Sequence, residues 1–150
     1  MKEKEVGRPV VYTVGTSTRS PEEFLALLRQ HGIRAVVDVR RFPSSRRYPH
    51  FNRYALAAWL GEAGVAYHYL GDELGGYRPG GYESFTRTKT FQEGISELAA
   101  LALKEPTAVL CSERFPWKCH RRFIAQHLAA AGWEARHILD EKRVYVPKQS

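Results

Sequence analysis

The chain has 150 residues, of which 43% are hydrophobic and 26% charged, and its formal net charge is +7 with an isoelectric point near 9.6. This length fits one domain with its own core, the composition excludes a disordered chain, and the charge favours anionic partners. No apolar run of roughly 18 residues occurs, and the charged N-terminus lacks a signal region, so we expect neither a membrane span nor secretion. Two cysteines cannot form a disulfide framework, which predicts a cytoplasmic protein.

The chain begins with a strand–helix–strand pattern. A β-branched apolar run over 10–14 predicts a buried strand. Ser20 and Glu23 then have the spacing of a capping box, and Gly32 is expected to end the helix that they open. A second apolar run over 35–39 predicts another strand. Such a unit is typical of parallel sheets.

The same alternation continues to the C-terminus. It predicts an α/β protein with a single open, mostly parallel sheet of about five strands and helices on both faces, so that residues 1–150 form one domain. The remaining predicted elements are a helix capped by Asn52, a strand over 65–70, a long loop over 71–88, a helix opened by Thr90 with Glu93, a strand over 107–111, a helix after Pro116 and a strand over 134–139 at a sheet edge.

In such folds ligands bind beyond the carboxyl ends of the strands, where loops and helix N-termini converge. The loop after the first strand contains Gly15 and Ser17. Free N–H groups and hydroxyls ahead of a helix suit an anion, so both residues are candidate phosphate ligands. The alternative is a plain tight turn between the strand and the helix.

The segment that follows the second strand holds five arginines and no acid after Asp38. The guanidinium group is a planar fork that binds phosphate or carboxylate with two hydrogen bonds. Phe42 and Tyr48 lie among these arginines and suit stacking on bases. Asp38 either orients Arg40 within a solvated basic loop or acts as a catalytic carboxylate. The candidate substrate-binding residues here are Arg40, Arg46, Arg47 and Asn52.

The third segment leaves the fourth strand. Cys111 ends that strand, and Cys119, His120 and Arg121 are expected in the first turns of the next helix. The helix dipole and neighbouring cations favour a thiolate there. Rhodanese and phosphatase sites also hold a thiol at a strand-to-helix loop, but their loop ends in Arg where this chain has Trp117. The alternative is that Cys111 is a small buried core residue.

Metal binding is the weaker interpretation of the same segment. Cys111, Cys119 and His120 could offer three zinc ligands, but neither C-x-x-C nor H-x-x-x-H spacing supports the site. We therefore predict no metal and no cofactor. The histidines at helix ends, on strands or on a helix face are interpreted as structural: His31, His68, His127 and His137.

Motifs of a known family extend over nearly the whole chain. They are Thr13-Val14-Gly15-Thr16-Ser17, Asp38-Val39-Arg40 with Pro43, Ser45-Arg46 and Phe51-Asn52, Leu74-Gly75-Gly76, and Cys111-x-Glu113 with Cys119-His120-Arg121-Arg122. The chain therefore resembles DUF488, a set of small prokaryotic α/β proteins of undefined function. The resemblance implies the fold and the location of the site, but it implies no reaction. The family commonly has His where this chain has Thr16.

The leading functional hypothesis from the sequence is a protein that acts on DNA or RNA, of a base-processing, repair or glycosylase-like type. Asp38 or Glu113 would activate water or stabilise positive charge that develops on a sugar. Such an enzyme must also bind phosphates and stack against bases. The phosphate ligands would be Arg46, Arg47 and Arg121, and the stacking side chains would be Phe42, Tyr48 and Trp117.

Two alternatives belong to other classes. The first is a sulfurtransferase-like enzyme with Cys111 or Cys119 as nucleophile and His120 as base, acting on a small sulfur- or phosphorus-containing anion. The second is a non-catalytic module that binds a polyanion. All three hypotheses use the basic surface, and none requires a membrane.

Overall fold

The computed structural model of the protein describes residues 7–148. Its centre is one six-stranded sheet. In chain order the strands are β1 (Val10–Gly15), β2 (Ala35–Asp38), β3 (Ala66–Tyr69), β4 (Thr107–Cys111), β5 (Glu134–Ile138) and β6 (Val144–Tyr145). They are arranged as β3-β2-β4-β1-β5-β6, and every pair is parallel except β5 with β6. The predicted open, mostly parallel α/β sheet is confirmed.

The sixth strand corrects one prediction. β6 contains two residues, too few to show the alternating pattern by which a strand is recognised in a sequence. It pairs antiparallel with β5, through His137 with Tyr145 and Ile138 with Val144. The expectation that the strand near 134–139 lies at a sheet edge is therefore wrong, because β5 lies between β1 and β6.

Helices cover both faces of the sheet, as predicted. One core contains side chains of α1 (Pro21–Gln30) and α2 (Arg53–Glu62) with Val36, and the other contains side chains of α5 (Lys89–Lys104) and α6 (Arg121–Ala130) with Val37, since successive side chains of a strand point to opposite faces. No helix among residues 7–148 is long and apolar enough to cross a membrane. The helices are α1 (Pro21–Gln30), α2 (Arg53–Glu62), α3 (Gly71–Leu74), α4 (Tyr82–Phe85), α5 (Lys89–Lys104) and α6 (Arg121–Ala130).

The capping box predicted for α1 is confirmed, whereas the start of α5 is not at Thr90. The Glu23 N–H donates to Ser20 Oγ at 3.0 Å, and the Ser20 N–H donates to Glu23 Oε1 at 2.7 Å. At α5 it is Thr88 that accepts the N–H of Phe91, at 3.2 Å, so the helix starts earlier. A threonine three residues before a buried Phe caps this helix without an acidic partner.

The stretch over 71–88 is not one loop, because it contains α3 and α4. Tyr82 explains how these short helices are held together: its hydroxyl donates to Leu74 O at 2.6 Å and ties α4 to α3. Gly80 and Gly81 lie between the two helices, with φ values of +80° and +91°. These are left-handed conformations that glycine adopts readily, and they separate α3 from α4. Side-chain contacts of this kind leave no periodic signal in the sequence.

Two other local expectations are corrected. Asn52 precedes α2 but does not cap it, since its Oδ1 accepts the N–H of Ser45 instead and closes the arginine-rich loop. The chain after Pro116 first forms a 3-10 turn, Pro116–Lys118, and α6 begins only at Arg121. Cys119 therefore lies before the helix rather than in its first turn.

Candidate active site

Three strand ends meet at one edge of the sheet. β2, β4 and β1 are neighbours, so the loops that follow them emerge side by side. Between these loops lies a cleft of about 910 Å³. It is bordered by side chains from all three segments that the sequence singled out and by the segment between α3 and α4. Residues that represent these four segments are Ser17, Arg40, Phe42, Glu113, Cys119 and Tyr77.

Two free thiols face each other at this cleft. Cys111 Sγ and Cys119 Sγ are 2.9 Å apart, with Cys119 as the donor. Cys111 ends β4 and is 1% exposed, whereas Cys119 is half-buried. The 3-10 turn explains the approach, because the N–H of Cys119 donates to Pro116 O at 3.1 Å and the chain turns back toward β4.

Arg121 supplies the positive charge beside this pair. Its side chain has no exposed surface, and its Nη1 donates to Cys111 Sγ at 2.6 Å. The other donors of the guanidinium group go to neutral oxygens. These acceptors are Thr13 Oγ1 at 3.0 Å, Glu113 O, and Arg114 O at 2.9 Å. Within residues 7–148 Arg121 has no carboxylate partner. The Cys111 sulfur is therefore the group that can carry its counter-charge.

The pKa values of the two thiols diverge for this reason. Burial by itself raises the pKa of Cys111, but the hydrogen bond from Cys119 and the charge and hydrogen bond of Arg121 outweigh it and lower the pKa to about 7. The pKa of Cys119 is raised, because it donates to Cys111 and is buried beside a developing thiolate. The first proton is thus lost from Cys111 and the second is retained on Cys119.

His120 faces Cys119 on the other side. Burial lowers the pKa of His120, so the ring is neutral near pH 7. Its Nε2 lies 3.0 Å from Val39 O, and a carbonyl oxygen only accepts, so Nε2 carries the proton. Nδ1 is then an unprotonated acceptor 3.6 Å from Cys119 Sγ. This tautomer makes His120 a base for the second thiol.

Asp38 is enclosed and does not border the cleft. It is fully buried and accepts from Arg40 at Nε (2.9 Å), Nη2 (2.8 Å) and the backbone N–H (3.1 Å). Tyr67, from β3, donates its hydroxyl to the same carboxylate at 2.5 Å. Burial and the Asp38 charge raise the pKa of Tyr67, so it stays protonated. This geometry favours the interpretation in which Asp38 orients Arg40, which does border the cleft.

The loop after β1 was predicted to offer free N–H groups to an anion, and the structure differs from this prediction. A Cβ atom on Gly15 would lie 2.0 Å from Glu113 O, so glycine here allows the loop after β4 to pack directly on β1. The N–H groups of Thr16 and Ser17 donate to Cys111 O and Ser112 O, at 2.8 and 2.9 Å, and are not free for an anion. Of the two predicted ligands, Ser17 borders the cleft.

The other predicted residues do not line the cleft. Arg46 and Arg47 are exposed on the loop after β2. Tyr48 is half-buried against the core under α1 and α2, and Trp117 stacks on Phe115 with ring centroids 5.2 Å apart. Trp117 borders a separate cavity of about 540 Å³. Among the three predicted stacking residues, Phe42 is the one in the cleft.

Several residues of the site were not assigned a role there from the sequence. Thr13 Oγ1 lies 2.6 Å from His137 Nδ1 and thereby links Arg121 to β5. Burial and the Arg121 charge lower the pKa of His137 to about 4, so the ring is neutral near pH 7. Tyr67 and Tyr77 were also missed. Thr13 could have been singled out from the sequence, because it is a polar residue inside an otherwise apolar strand.

No group of three or more His, Cys, Asp or Glu side chains is arranged to hold a metal ion in the part of the chain that the structure describes. The cleft brings together two thiols, a neutral imidazole, several cationic side chains and the carboxylate of Glu113.

The fold and the cleft define an open α/β domain with a thiol pair at the carboxyl edge of its sheet. The chain belongs to the family described as "Domain of unknown function DUF488", whose model matches residues 20–128. The matched range contains Asp38, Cys111 and the run from Cys119 to Arg121, whereas Thr13 and His137 lie outside it. No curated protein and no solved structure gives a significant match to the chain.

Proposed function

We propose that the protein is an enzyme that uses Cys111 as a nucleophile on a small sulfur- or phosphorus-containing anion. The observation that carries the proposal is the 2.6 Å contact between Cys111 Sγ and Nη1 of the fully buried Arg121. A buried charge without a counter-charge is strongly unfavourable, and a thiolate is the anion within reach. A thiolate at neutral pH is the reactive form of cysteine.

The proposed step is a nucleophilic displacement at sulfur or phosphorus. The Cys111 thiolate forms a bond to that atom, the bond from that atom to its leaving group breaks, and the leaving group departs with the electron pair. An acceptor nucleophile, a thiol or water, then attacks the transferred atom, gives up its own proton to solvent, and releases Cys111 as a thiolate. Arg121 stabilises the sulfur anion at the start and at the end of this cycle.

The cleft supplies the charge that such a substrate requires. Arg40, Arg41, Arg114 and Lys118 border it, and Glu113 is the one acid among its lining residues. Cys119 holds a proton next to the nucleophile, and Nδ1 of His120 can receive that proton. The proposed chemistry requires both thiols to be reduced, which a reducing compartment such as the cytoplasm would ensure.

Charge-selective alkylation tests this proposal. The ratio of the reaction rate with iodoacetate to that with iodoacetamide is expected to be about tenfold or more higher than for free glutathione, because the cleft attracts the anionic reagent. Peptide mass spectrometry should locate the modification on Cys111, and the Cys119→Ser variant should keep the preference. A native protein inert to both reagents, or one with the glutathione ratio, would overturn the proposal.

A second candidate function is action on nucleic acid, of the base-processing or repair type. Arg46 and Arg47 favour it, because both are exposed and neither pairs with a carboxylate within residues 7–148. Cations left free on one loop suit a phosphate backbone. In this candidate Glu113, which borders the cleft, is a better catalytic carboxylate than the enclosed Asp38.

The salt dependence of binding tests the second candidate. Against fluorescent DNA and RNA, the Arg46→Ala/Arg47→Ala variant is expected to bind more weakly, with a slope of log affinity against log salt less negative by about two. Arg29→Ala/Arg34→Ala is the matched control, since both residues are exposed and Arg34 precedes β2 at the opposite edge of the sheet. Equal slopes for the two variants would show that the arginine-rich loop does not bind the phosphate backbone. Binding without turnover would favour a polyanion-binding module.

A further inference from the structure

Two aromatic side chains at the mouth of the cleft are exposed to an unusual degree. Phe42 is 64% exposed and Tyr77 is 84% exposed, yet their ring centroids lie 5.9 Å apart. Both border the 910 Å³ cleft that contains the thiols. Two neighbouring aromatic rings that are mostly exposed beside a cationic cleft offer apolar surface to a ligand. We call Phe42 and Tyr77 the aromatic shelf.

The backbone holds the shelf in a strained conformation. Tyr77 has φ +60°, in the left-handed region that a bulky side chain rarely adopts. Among residues 7–148 one other non-glycine residue has positive φ, Ser17 at +50°, and it borders the same cleft. Strain of this kind persists where surrounding contacts impose it, and it concentrates at ligand-binding sites.

Arg41 imposes that conformation and adds charge. Its Nη1 donates to Tyr77 O at 2.7 Å, and its guanidinium carbon lies 5.6 Å from the centroid of Phe42. One arginine thus contacts both residues of the shelf while it borders the cleft itself. A ligand on the shelf therefore meets an aromatic face on one side and a cation next to it.

We infer that the aromatic shelf binds a nucleobase, so that the anion processed at the thiol pair is part of a nucleotide. The inference rests on the proposed function for the location of the reacting anion. Aromatic faces bind bases of any sequence by stacking, and arginines beside them bind phosphate. The volume of the cleft is within the range of sites that enclose small ligands.

Binding of matched ligands tests the inference. Adenosine 5′-monophosphate is expected to bind the wild-type protein about tenfold or more tightly than ribose 5-phosphate, which lacks the base. The Phe42→Ala/Tyr77→Ala variant should lose that difference. Tyr54→Ala is the control, because Tyr54 is 78% exposed on α2 and does not border the cleft. Equal affinities of the two ligands for the wild type would overturn the inference.

Further measurements distinguish a free nucleotide from a nucleic acid as the source of the base. They also distinguish failure of this inference from failure of the proposed function. A single-stranded oligonucleotide that competes better than the mononucleotide identifies a base within nucleic acid, and the reverse order identifies a free nucleotide; either order supports the shelf. If alkylation of the thiol favours the anionic reagent but the protein binds adenosine 5′-monophosphate and ribose 5-phosphate equally well, the inference about the aromatic shelf is wrong and the proposed function stands. A base preference lost in the shelf variant, together with an inert thiol, supports the shelf as a binding surface and overturns the proposed function.

Discussion

The Arg121→Met variant is expected to lose about 3–5 kcal/mol of unfolding free energy. The guanidinium group of Arg121 is fully buried and donates to two backbone carbonyls, a threonine hydroxyl and Cys111 Sγ. Methionine fills a similar volume but offers no donors, so all four acceptors lose the hydrogen bond that Arg121 donates. Urea denaturation at constant pH measures the loss.

Arg122→Met is the matched control for this prediction. Arg122 is the next residue along α6 and is exposed, with its guanidinium group over the ring of Phe123. Its replacement should change the unfolding free energy by less than about 0.5 kcal/mol. If the two variants were equally stable, Arg121 would not anchor the loop after β4, and the argument for a thiolate beside it would fail.

The second large effect is a rise in stability with pH that belongs to the thiol pair. The pKa of Cys111 is about 7 in the folded protein, whereas in the unfolded chain it is that of an ordinary thiol near 9. Below pH 7 both forms are protonated and nothing is gained. Between pH 7 and 9 the folded protein holds a thiolate that the unfolded chain lacks. The unfolding free energy should therefore rise by about 2–3 kcal/mol across this window.

Above pH 9 the direction reverses, because the pKa of Cys119 is raised in the folded protein. There the unfolded chain loses the Cys119 proton while the folded protein keeps it, and stability falls. Under reducing conditions the contribution of the thiol pair to the unfolding free energy should thus be largest near pH 9. The Cys111→Ala variant should lack the rise between pH 7 and 9. A variant with the same pH profile as the wild type would refute this assignment.

The sequence predicted those features that depend on local pattern. The burial of β4 and the position of Cys111 at its carboxyl end follow from an apolar run over 107–111. In a parallel sheet this also predicts which loops share an edge. The cleft borders all three segments chosen on that basis. The capping box of Ser20 with Glu23 belongs to the same category, because its two partners are three residues apart.

The contacts between distant residues could not be predicted in this way. Arg121 reaches Cys111, ten residues earlier, because a 3-10 turn reverses the chain between them. Tyr67 reaches Asp38 because β2 and β3 are adjacent, and that register appears only when the sheet is assembled. Tyr77 belongs to an irregular segment with no period. These contacts assign Asp38 to orienting Arg40 and give Cys111 its counter-charge.

The proposed function depends most directly on the thiol pair, in which Cys111 ionises near neutral pH rather than near pH 9. Thiolate absorbance at about 240 nm, titrated from about pH 5 to about pH 10 under reducing conditions, measures this directly as the difference between the wild type and the Cys111→Ala/Cys119→Ala variant, which has no thiol. We expect one ionisation with a midpoint near pH 7, since Cys119 keeps its proton over this range. A midpoint at or above pH 9, as expected for a buried thiol without a counter-charge, would contradict it.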